Sequence, residues 1–412
     1  MRPLPVLIAA LLLVIPLATP VAGYTAPVSM QTADGSDQLP QITAVDNTTN
    51  HLSVPENEVE STAYNQSTLD VGVAVAAGSR ELRGSHAVSN FEQQFFRRDS
   101  DAARDQLVDE TLADIEAQRI QLERRNERAI QQYSDGQITA EEFLQRRALI
   151  DTASRELTDR IDRIRTAAGT APDYSLSQEQ RFHLENNRGT LKTYRGPISR
   201  SITAETAGTA ETNTVYLEAS SSGFMLSTVI DSQYTRETYL GDERQVTAVD
   251  QFADTDDPLG AVNTRAESLY PWLYSEQYPS VQAYGSTSIY QIQADHSNGE
   301  LTAYFDGGTT DVFYETQHLE LTTVERSEVE SQMNQSTRVR VQRSFDSGPL
   351  LLSVTDNETK IPVDASVSIN GKRVGTTGSD GILWSVEPRG DYTVTVTTQD
   401  GERVTVPVSG SE

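Results

Sequence analysis

The sequence contains no cysteine, which excludes disulfide bonds, thiolate metal sites and catalytic thiols. Lysine is also scarce, because only three of the 33 basic residues are lysines and the others are arginines. The net charge is −27, so phosphate backbones and anionic headgroups are repelled, and we expect neither nucleic-acid binding nor peripheral membrane binding. Such a surface is typical of a protein adapted to high salt, and an ordinary acidic secreted protein is the alternative.

Long apolar runs are lacking apart from Val6–Leu17, which follows Arg2 and precedes small residues and prolines. This run is shorter than the roughly 20 residues that a membrane-spanning helix needs. Val21-Ala22-Gly23 supplies the small residues of a cleavage site. We therefore predict a signal peptide over residues 1–23, a mature chain without a transmembrane segment, and a location outside the cell or at the cell surface.

Motifs for catalysis and for cofactors are lacking as well. The five histidines do not fall at metal-ligand spacing, and neither H-E-x-x-H nor G-x-S-x-G occurs. We expect no catalytic residue and no cofactor. Asp254, Asp256 and Asp257 form a candidate Ca²⁺ cluster, although acidic clusters also arise by chance on so acidic a surface. The candidate glycosylation sites are Asn47, Asn65, Asn334 and Asn357.

The composition changes from polar to helical near residue 69. Residues 24–68 have no hydrophobic period and are predicted to be a disordered spacer. Residues 69–168 predict a coiled-coil-like helical hairpin, with an apolar seam on each side of Gly136. Thr139, followed three residues later by Glu142, predicts a capping box at the start of the second arm rather than a calcium loop.

The two predicted seams repeat at alternating intervals of four and three residues. They comprise Val108, Leu112, Ile115, Arg119, Leu122, Asn126, Ala129 and Tyr133, and then Phe143, Arg147, Ile150, Ser154, Leu157, Ile161 and Ile164. Polar residues inside such a seam fix register or pairing. We expect the hairpin to pair with itself, with oligomerisation as an alternative, and to dock a partner or the rest of the chain through Phe91, Phe95 and Phe96.

The remainder of the chain divides into four predicted parts. Residues 169–210 form a connecting segment with one helix around Ser177–Leu191, residues 211–326 an antiparallel α+β domain, residues 327–348 a polar linker, and residues 349–412 a small β-sandwich. The α+β domain has predicted strands at Thr214–Ala219, Phe224–Asp231, Tyr234–Tyr239, Ile289–Ala294, Leu301–Phe305 and Asp311–Thr316, and a helix at Ala261–Leu273. The predicted fold class is therefore multidomain α+β.

Several short motifs carry a resemblance. They are Arg195-Gly196-Pro197, Gly223-Phe224-Met225-Leu226-Ser227, Tyr234-Thr235-Arg236-Glu237 and Tyr284-Gly285-Ser286-Thr287. Through them, residues 69–324 resemble an uncharacterised family of exported haloarchaeal proteins. That family has no assigned activity, so the resemblance implies no functional residue.

Two further resemblances concern the second half of the chain. Residues 350–408, with turns at Asn370-Gly371 and Asp380-Gly381, resemble carboxypeptidase-regulatory-like and Ig-like sandwiches, which implies a fold rather than a function. Residues 289–315 are similar to the paired-strand core of peptidase-inhibitory propeptide domains.

These features favour a non-catalytic exported or cell-surface protein of a halophilic archaeon that binds an envelope or secreted protein. A regulator or inhibitor of an exported peptidase is one alternative, which the likeness to propeptide domains implies. A glycoside hydrolase is another, because two carboxylates suffice for that reaction.

Overall fold

A computed structural model of the chain describes residues 42–45, 50–66, 70–230, 232–276 and 278–410. The predicted signal peptide and Asn47 lie outside these residues. Among the helices within these ranges, none combines the length and the apolar character needed to cross a membrane. The mixed α+β class and the C-terminal β-sandwich are confirmed.

The first described segment contains strands where the sequence predicted a disordered spacer. Strands β1 (Ile42–Thr43) and β2 (His51–Leu52) pair with each other, and a short 3-10 helix at Glu56–Glu58 precedes β3 (Ser61–Gln66). The spacer prediction is therefore wrong for these residues. The sequence around β3 shows no alternation of apolar and polar residues that would predict a strand. The backbone of β3 forms its hydrogen bonds with β4, which lies about 150 residues further along the chain.

Five helices follow and pack together as a bundle. They are α1 (Val71–Arg97), α2 (Asp101–Ser134), α3 (Ala140–Thr170), α4 (Gln178–Lys192) and α5 (Pro197–Thr206). Asp70, Ser100, Thr139 and Ser177 cap the first four helices, and the predicted capping box of Thr139 and Glu142 is present.

Helices α2 and α3 run antiparallel, since Gln132 contacts Arg146 next to the turn and Asp114 contacts Arg160 further from it. They do not form an isolated hairpin. Helices α1 and α5 pack on α3, and α4 packs on both α2 and α3. The predicted connecting segment thus supplies two helices of the bundle.

Of the two docking roles predicted for the three phenylalanines, packing on the rest of the chain is confirmed for two of them. Phe91 and Phe95 are buried in the core of the bundle, and Phe95 packs edge-on against Tyr174. Only Phe96 is exposed, at 52%. These rings face inward because α1 covers α3, a contact between helices that the seam spacing alone does not predict.

An eight-stranded antiparallel sheet lies beside the bundle. It contains β3 and then β4 (Thr214–Ala219), β5 (Gly223–Ile230), β6 (Gln233–Leu240), β7 (Ser280–Ala283), β8 (Ile289–His296), β9 (Gly299–Asp306) and β10 (Val312–Glu320), in the order β3-β4-β5-β6-β10-β9-β8-β7. Helices α6 (Pro258–Leu269) and α7 (Pro271–Glu276) precede β7 and replace the single predicted helix, which breaks at Tyr270 before a proline.

The two faces of this sheet belong to different cores. One face packs on the bundle, where Phe224 meets Phe143 of α3 and Tyr239 stacks on Phe224. The opposite face packs on α6 and α7 and on the segment around Leu52. The sheet is therefore the middle layer, and alternate residues of each strand serve opposite cores.

The last eight strands form a two-sheet sandwich. They are β11 (Ser327–Met333), β12 (Thr337–Arg343), β13 (Pro349–Asp356), β14 (Ala365–Ile369), β15 (Lys372–Thr376), β16 (Ile382–Val386), β17 (Tyr392–Thr398) and β18 (Arg403–Val408). The sheets have the orders β11-β12-β13-β16 and β15-β14-β17-β18. The predicted linker at 327–348 is wrong, because it contains β11 and β12.

The linker prediction failed because β11 and β12 are rich in charged and polar residues. In β12, Val339 and Val341 point into the core of the sandwich, while Arg338 and Arg340 alternate with them. This is the period of two that a strand with one solvated face shows. The polar residues between the valines masked it.

The sandwich is held against the central sheet by a buried ion pair. Arg389 contacts Glu218 of β4 through Nη2–Oε2 at 2.7 Å and Nε–Oε1 at 3.2 Å, and the Glu218 side chain is 0% exposed. Tyr216 and Ser347 both donate hydrogen bonds to the same carboxylate. This fully bonded carboxylate fixes the position of the sandwich on the sheet.

Candidate functional site

The predicted calcium residues are exposed on a loop before α6. Asp257 accepts a hydrogen bond from the Gly260 amide at 3.0 Å and so serves as the N-cap of α6. Asp254 and Asp256 are exposed. Within the described ranges, the structure brings no three acidic, histidine or cysteine side chains together in a way that could hold a metal ion.

The described sequon asparagines lie in two kinds of place. Asn65 is in β3, at the edge of the central sheet, and its side chain is partly buried. Asn334 and Asn357 lie in turns of the sandwich, where the side chain of Asn334 accepts hydrogen bonds from the amides of Ser336 and Thr337. Both turn asparagines are half-buried, and glycosylation at the sequons stays a prediction.

A buried ion pair joins the bundle to the sheet. Arg147 of α3 and Glu237 of β6 lie 3.2 Å apart, with side chains 1% and 0% exposed. The guanidinium also donates to Asn126 of α2 and stacks over the ring of Phe224, with Cζ 4.6 Å from the ring centroid. The polar seam residues Arg147 and Asn126 thus meet each other across α2 and α3, and Arg147 also reaches the sheet.

The same carboxylate lies at the start of α5. Ser199 donates to Glu237 through its hydroxyl at 3.2 Å and through its amide at 3.5 Å, which places the negative charge at the N-terminus of the helix. A Cβ atom on Gly196, the N-cap of α5, would lie 1.9 Å from Glu237 Oε2. Glycine is therefore required in the Arg195-Gly196-Pro197 motif so that α5 can approach the sheet.

A cleft of about 290 Å³ lies next to this junction, where α3, α4 and α5 meet the part of the sheet formed by β8, β9 and β10. Its lining carries four cationic side chains and no carboxylate. It comprises Arg155, Lys192, Arg195, Gly196, Pro197, Arg200, Gln291, Thr302, Tyr304, Tyr314 and Thr316. We refer to these eleven residues as the cationic cleft. Such a cluster is unexpected in a chain with a net charge of −27.

The cations of the cleft are only partly compensated. Arg155 forms a two-point ion pair with Asp151, at 2.6 and 2.8 Å, and Lys192 donates to the hydroxyl of Tyr284 at 2.6 Å. Among the described residues, the guanidinium groups of Arg195 and Arg200 form neither an ion pair nor a hydrogen bond. Two positive charges thus remain available to a ligand.

Burial and mutual repulsion act on these groups. Burial first, and then the neighbouring arginines, lower the pKa of Lys192. The pKa of Arg195 and that of Arg200 are lowered in the same way, by burial and then by Arg155. The fold therefore holds like charges together at some cost, which is the pattern of a binding site for the opposite charge.

The sheet supplies hydroxyl groups to the floor of the cleft. Thr302 lies opposite Thr316, and Tyr304 lies opposite Tyr314, so all four side chains share one face of β9 and β10. Tyr314 donates to the backbone carbonyl of Arg195 at 2.5 Å. The other three hydroxyls have no hydrogen-bond partner among the described residues, although Tyr304 is only 6% exposed.

A longer groove of about 1150 Å³ shares Arg155 and Arg200 with the cleft and lies between α1, α3 and α5. It also carries acidic side chains: Glu81, Glu92, Asp151, Glu156, Asp159 and Asp162. The lining of the cleft thus has positive charges and no carboxylate, whereas the lining of the adjoining groove has charges of both signs.

Sequence reasoning missed the cleft. Three of its four cations lie within a short stretch around the Arg195-Gly196-Pro197 motif, and the fourth, Arg155, comes from α3. One signal was present, since Lys192 is one of only three lysines and lies close to Arg188, Arg195 and Arg200. The hydroxyl groups come from strands more than 100 residues away, so no spacing rule connects them with the cations.

Family models match three consecutive parts of the chain. The domain of unknown function DUF7096 matches residues 1–211, the family of unknown function DUF7094 matches residues 215–325, and an archaeal fibronectin-III type-like domain matches residues 328–405. No curated protein and no solved structure matches the chain. The cationic cleft is built from both of the first two regions, because its arginines and lysine precede residue 211 and its hydroxyls follow residue 215.

Proposed function

The chain belongs to the family defined by the domain of unknown function DUF7096, and from this premise we propose that it is a non-catalytic interaction protein. We further propose that it is exported by a halophilic archaeon to the cell surface or the medium and binds an envelope or secreted protein. The cationic cleft, with two unpaired guanidinium groups in a strongly acidic chain, carries this proposal. It offers a site for an anionic group of the partner.

Other features support the setting of this function. The C-terminal match is to an archaeal fibronectin-III type-like domain, and the scarcity of lysine in an acidic chain suits a high-salt environment. The apolar run Val6–Leu17 and the small residues after it support export. The buried pair Glu218–Arg389 keeps the sandwich in a defined position, as a rigid interaction module requires.

We expect the mature N-terminus to lie within a few residues of Tyr24, because the apolar run is followed there by small residues. Mass spectrometry of the culture medium and of cell envelopes from a halophilic archaeal host tests this. A full-length chain, with its leader intact, in the purified cytoplasm would contradict export.

Partner capture tests the role of the cleft. The full chain is used as bait against envelope and secreted proteins at molar KCl, beside the double variant Arg195→Glu/Arg200→Glu. Charge reversal replaces attraction with repulsion, so we expect at least a tenfold loss of the captured partner. The control is Arg373→Glu, which reverses an exposed charge on the sandwich. Equal capture by all three proteins would show that the cleft is not the binding site.

A further inference from the structure

We propose that the cationic cleft binds a tetrahedral oxyanion that carries two negative charges, namely a phosphate or sulfate group. This inference deepens the proposed function and rests on it for the location of the site, but it concerns the chemistry of the ligand.

The lining is rich in hydrogen-bond donors. Guanidinium and ammonium groups only donate, and each threonine or tyrosine hydroxyl has one proton to donate. Four cationic side chains and three unpartnered hydroxyls therefore face a space that no carboxylate enters. A ligand with several acceptor oxygens can accept hydrogen bonds from these donors, whereas a ligand that is itself a donor finds few acceptors in the lining.

Two observations favour a compact, doubly charged group. The cleft measures about 290 Å³, at the lower limit of ordinary ligand pockets, and its mostly polar walls provide little apolar surface for a larger ligand body. Asp151 pairs with Arg155 and also attracts Arg195 and Arg200, so it offsets about one of the four positive charges. A dianion reduces the remaining repulsion more than a single carboxylate does, and arginine forks match the oxygens of a phosphate or sulfate group.

Tyr304 presents a hydroxyl group to the cleft. Its ring is packed among Tyr284, Tyr314 and the cleft, and only 6% of the residue is exposed, yet its hydroxyl has no hydrogen-bond partner among the described residues. The hydroxyl oxygen itself is not sealed from solvent, so it opens onto the cleft and is free to donate a hydrogen bond to a ligand there. An oxygen of the bound anion is a suitable acceptor.

The anion can be a free inorganic ion or the terminal ester of a larger molecule. The long groove that shares Arg155 and Arg200 with the cleft has room for the remainder of such a molecule. Both sources present the same three or more oxygens to Arg195, Arg200 and Tyr304, so the binding experiment must separate them.

The test uses the full chain in molar KCl at constant ionic strength, with calorimetric titration of sulfate, inorganic phosphate, methyl phosphate, perchlorate and malonate. We expect saturable binding of sulfate or phosphate, and a dissociation constant at least tenfold higher for Arg195→Gln. Tyr304→Phe removes one hydroxyl and is expected to raise the constant about 3- to 10-fold. The control Arg373→Gln should leave it unchanged.

Folding of the variants is checked by thermal unfolding without ligand. Arg195→Gln removes a charge that neighbouring arginines repel and breaks no hydrogen bond or ion pair of that side chain, so the unfolding midpoint should not fall. The wild-type midpoint should rise with added sulfate or phosphate, and that rise should shrink in both cleft variants.

The remaining outcomes decide the proposal. Equal or tighter binding of methyl phosphate assigns the site to an ester group, and clearly tighter binding of the inorganic ion assigns it to the free anion. Perchlorate binding as tight as sulfate binding, tighter binding of malonate, or no effect of either cleft variant would overturn the proposal. If the anion binds as expected but no partner is captured through the cleft, only the proposed function fails.

Discussion

Replacing Arg147 by methionine is expected to lower the free energy of unfolding by about 3 to 5 kcal/mol, because the Glu237 carboxylate would stay buried without its cation. The substitution keeps most of the aliphatic volume, so the loss comes chiefly from the charge. Urea unfolding in molar KCl at neutral pH measures it. The double variant Arg147→Met/Glu237→Gln should recover most of the loss, since a neutral amide can still accept from Ser199.

The same substitution on the exposed surface of α3 provides the control. Arg163 lies 3.7 Å from Glu92, and the two side chains are 55% and 37% exposed. We expect Arg163→Met to change the free energy of unfolding by about 0.5 kcal/mol or less, because exposed ion pairs contribute little. A similar loss for the two arginine variants would contradict the role that we assign to the buried pair.

The dependence of this loss on pH has a definite sign. Burial raises the pKa of the Glu237 carboxyl, and Arg147 opposes that rise. A raised pKa means that the folded state holds the proton more tightly, so the contribution to stability is full at low pH and declines as the pH rises through the folded pKa. Removing Arg147 raises this pKa further. The deficit of Arg147→Met should therefore be largest at neutral pH and smaller near pH 5.

The sequence predicted the parts of the fold that depend on local patterns. The strand prediction Thr214–Ala219 agrees with β4, and the helix prediction Ser177–Leu191 differs from α4 by one residue at each end. Strand β3 was missed because its partner is remote in sequence, and β12 was missed because its arginines made it resemble a linker. In both cases pairing between strands, rather than local propensity, determined the structure.

The candidate site was harder to predict than the fold. The cations around Arg195 are close in sequence, but neither their approach to one another nor the lack of a carboxylate follows from their spacing. The floor that Thr302 and Tyr304 provide depends on the register of β9 and β10, and on how α5 docks above Glu237. Such a site becomes visible only once helices and sheet are packed together.

Replacing Arg389 by methionine is expected to release the sandwich from the central sheet. The Glu218 carboxylate is 0% exposed and would lose a cation that contacts both of its oxygens. Because Arg389 itself is 24% exposed, we expect the free energy of unfolding to fall by about 2 to 3 kcal/mol, less than for the fully buried pair Arg147–Glu237. Arg389 also bridges to the carbonyl of Val54 at 3.2 Å. Its removal therefore loosens two attachments at once.

The sandwich has a hydrophobic core of its own, which includes Val341, Leu352 and Val396, and this core does not depend on Arg389. Differential scanning calorimetry of the full Arg389→Met variant should therefore show two separated transitions where the wild type shows more closely coupled unfolding. Arg403→Met, an exposed substitution on β18, is the matched control and should behave like the wild type. If Arg389→Met unfolds like that control, then the apolar contacts of the sandwich with the sheet, rather than the ion pair, hold the two together.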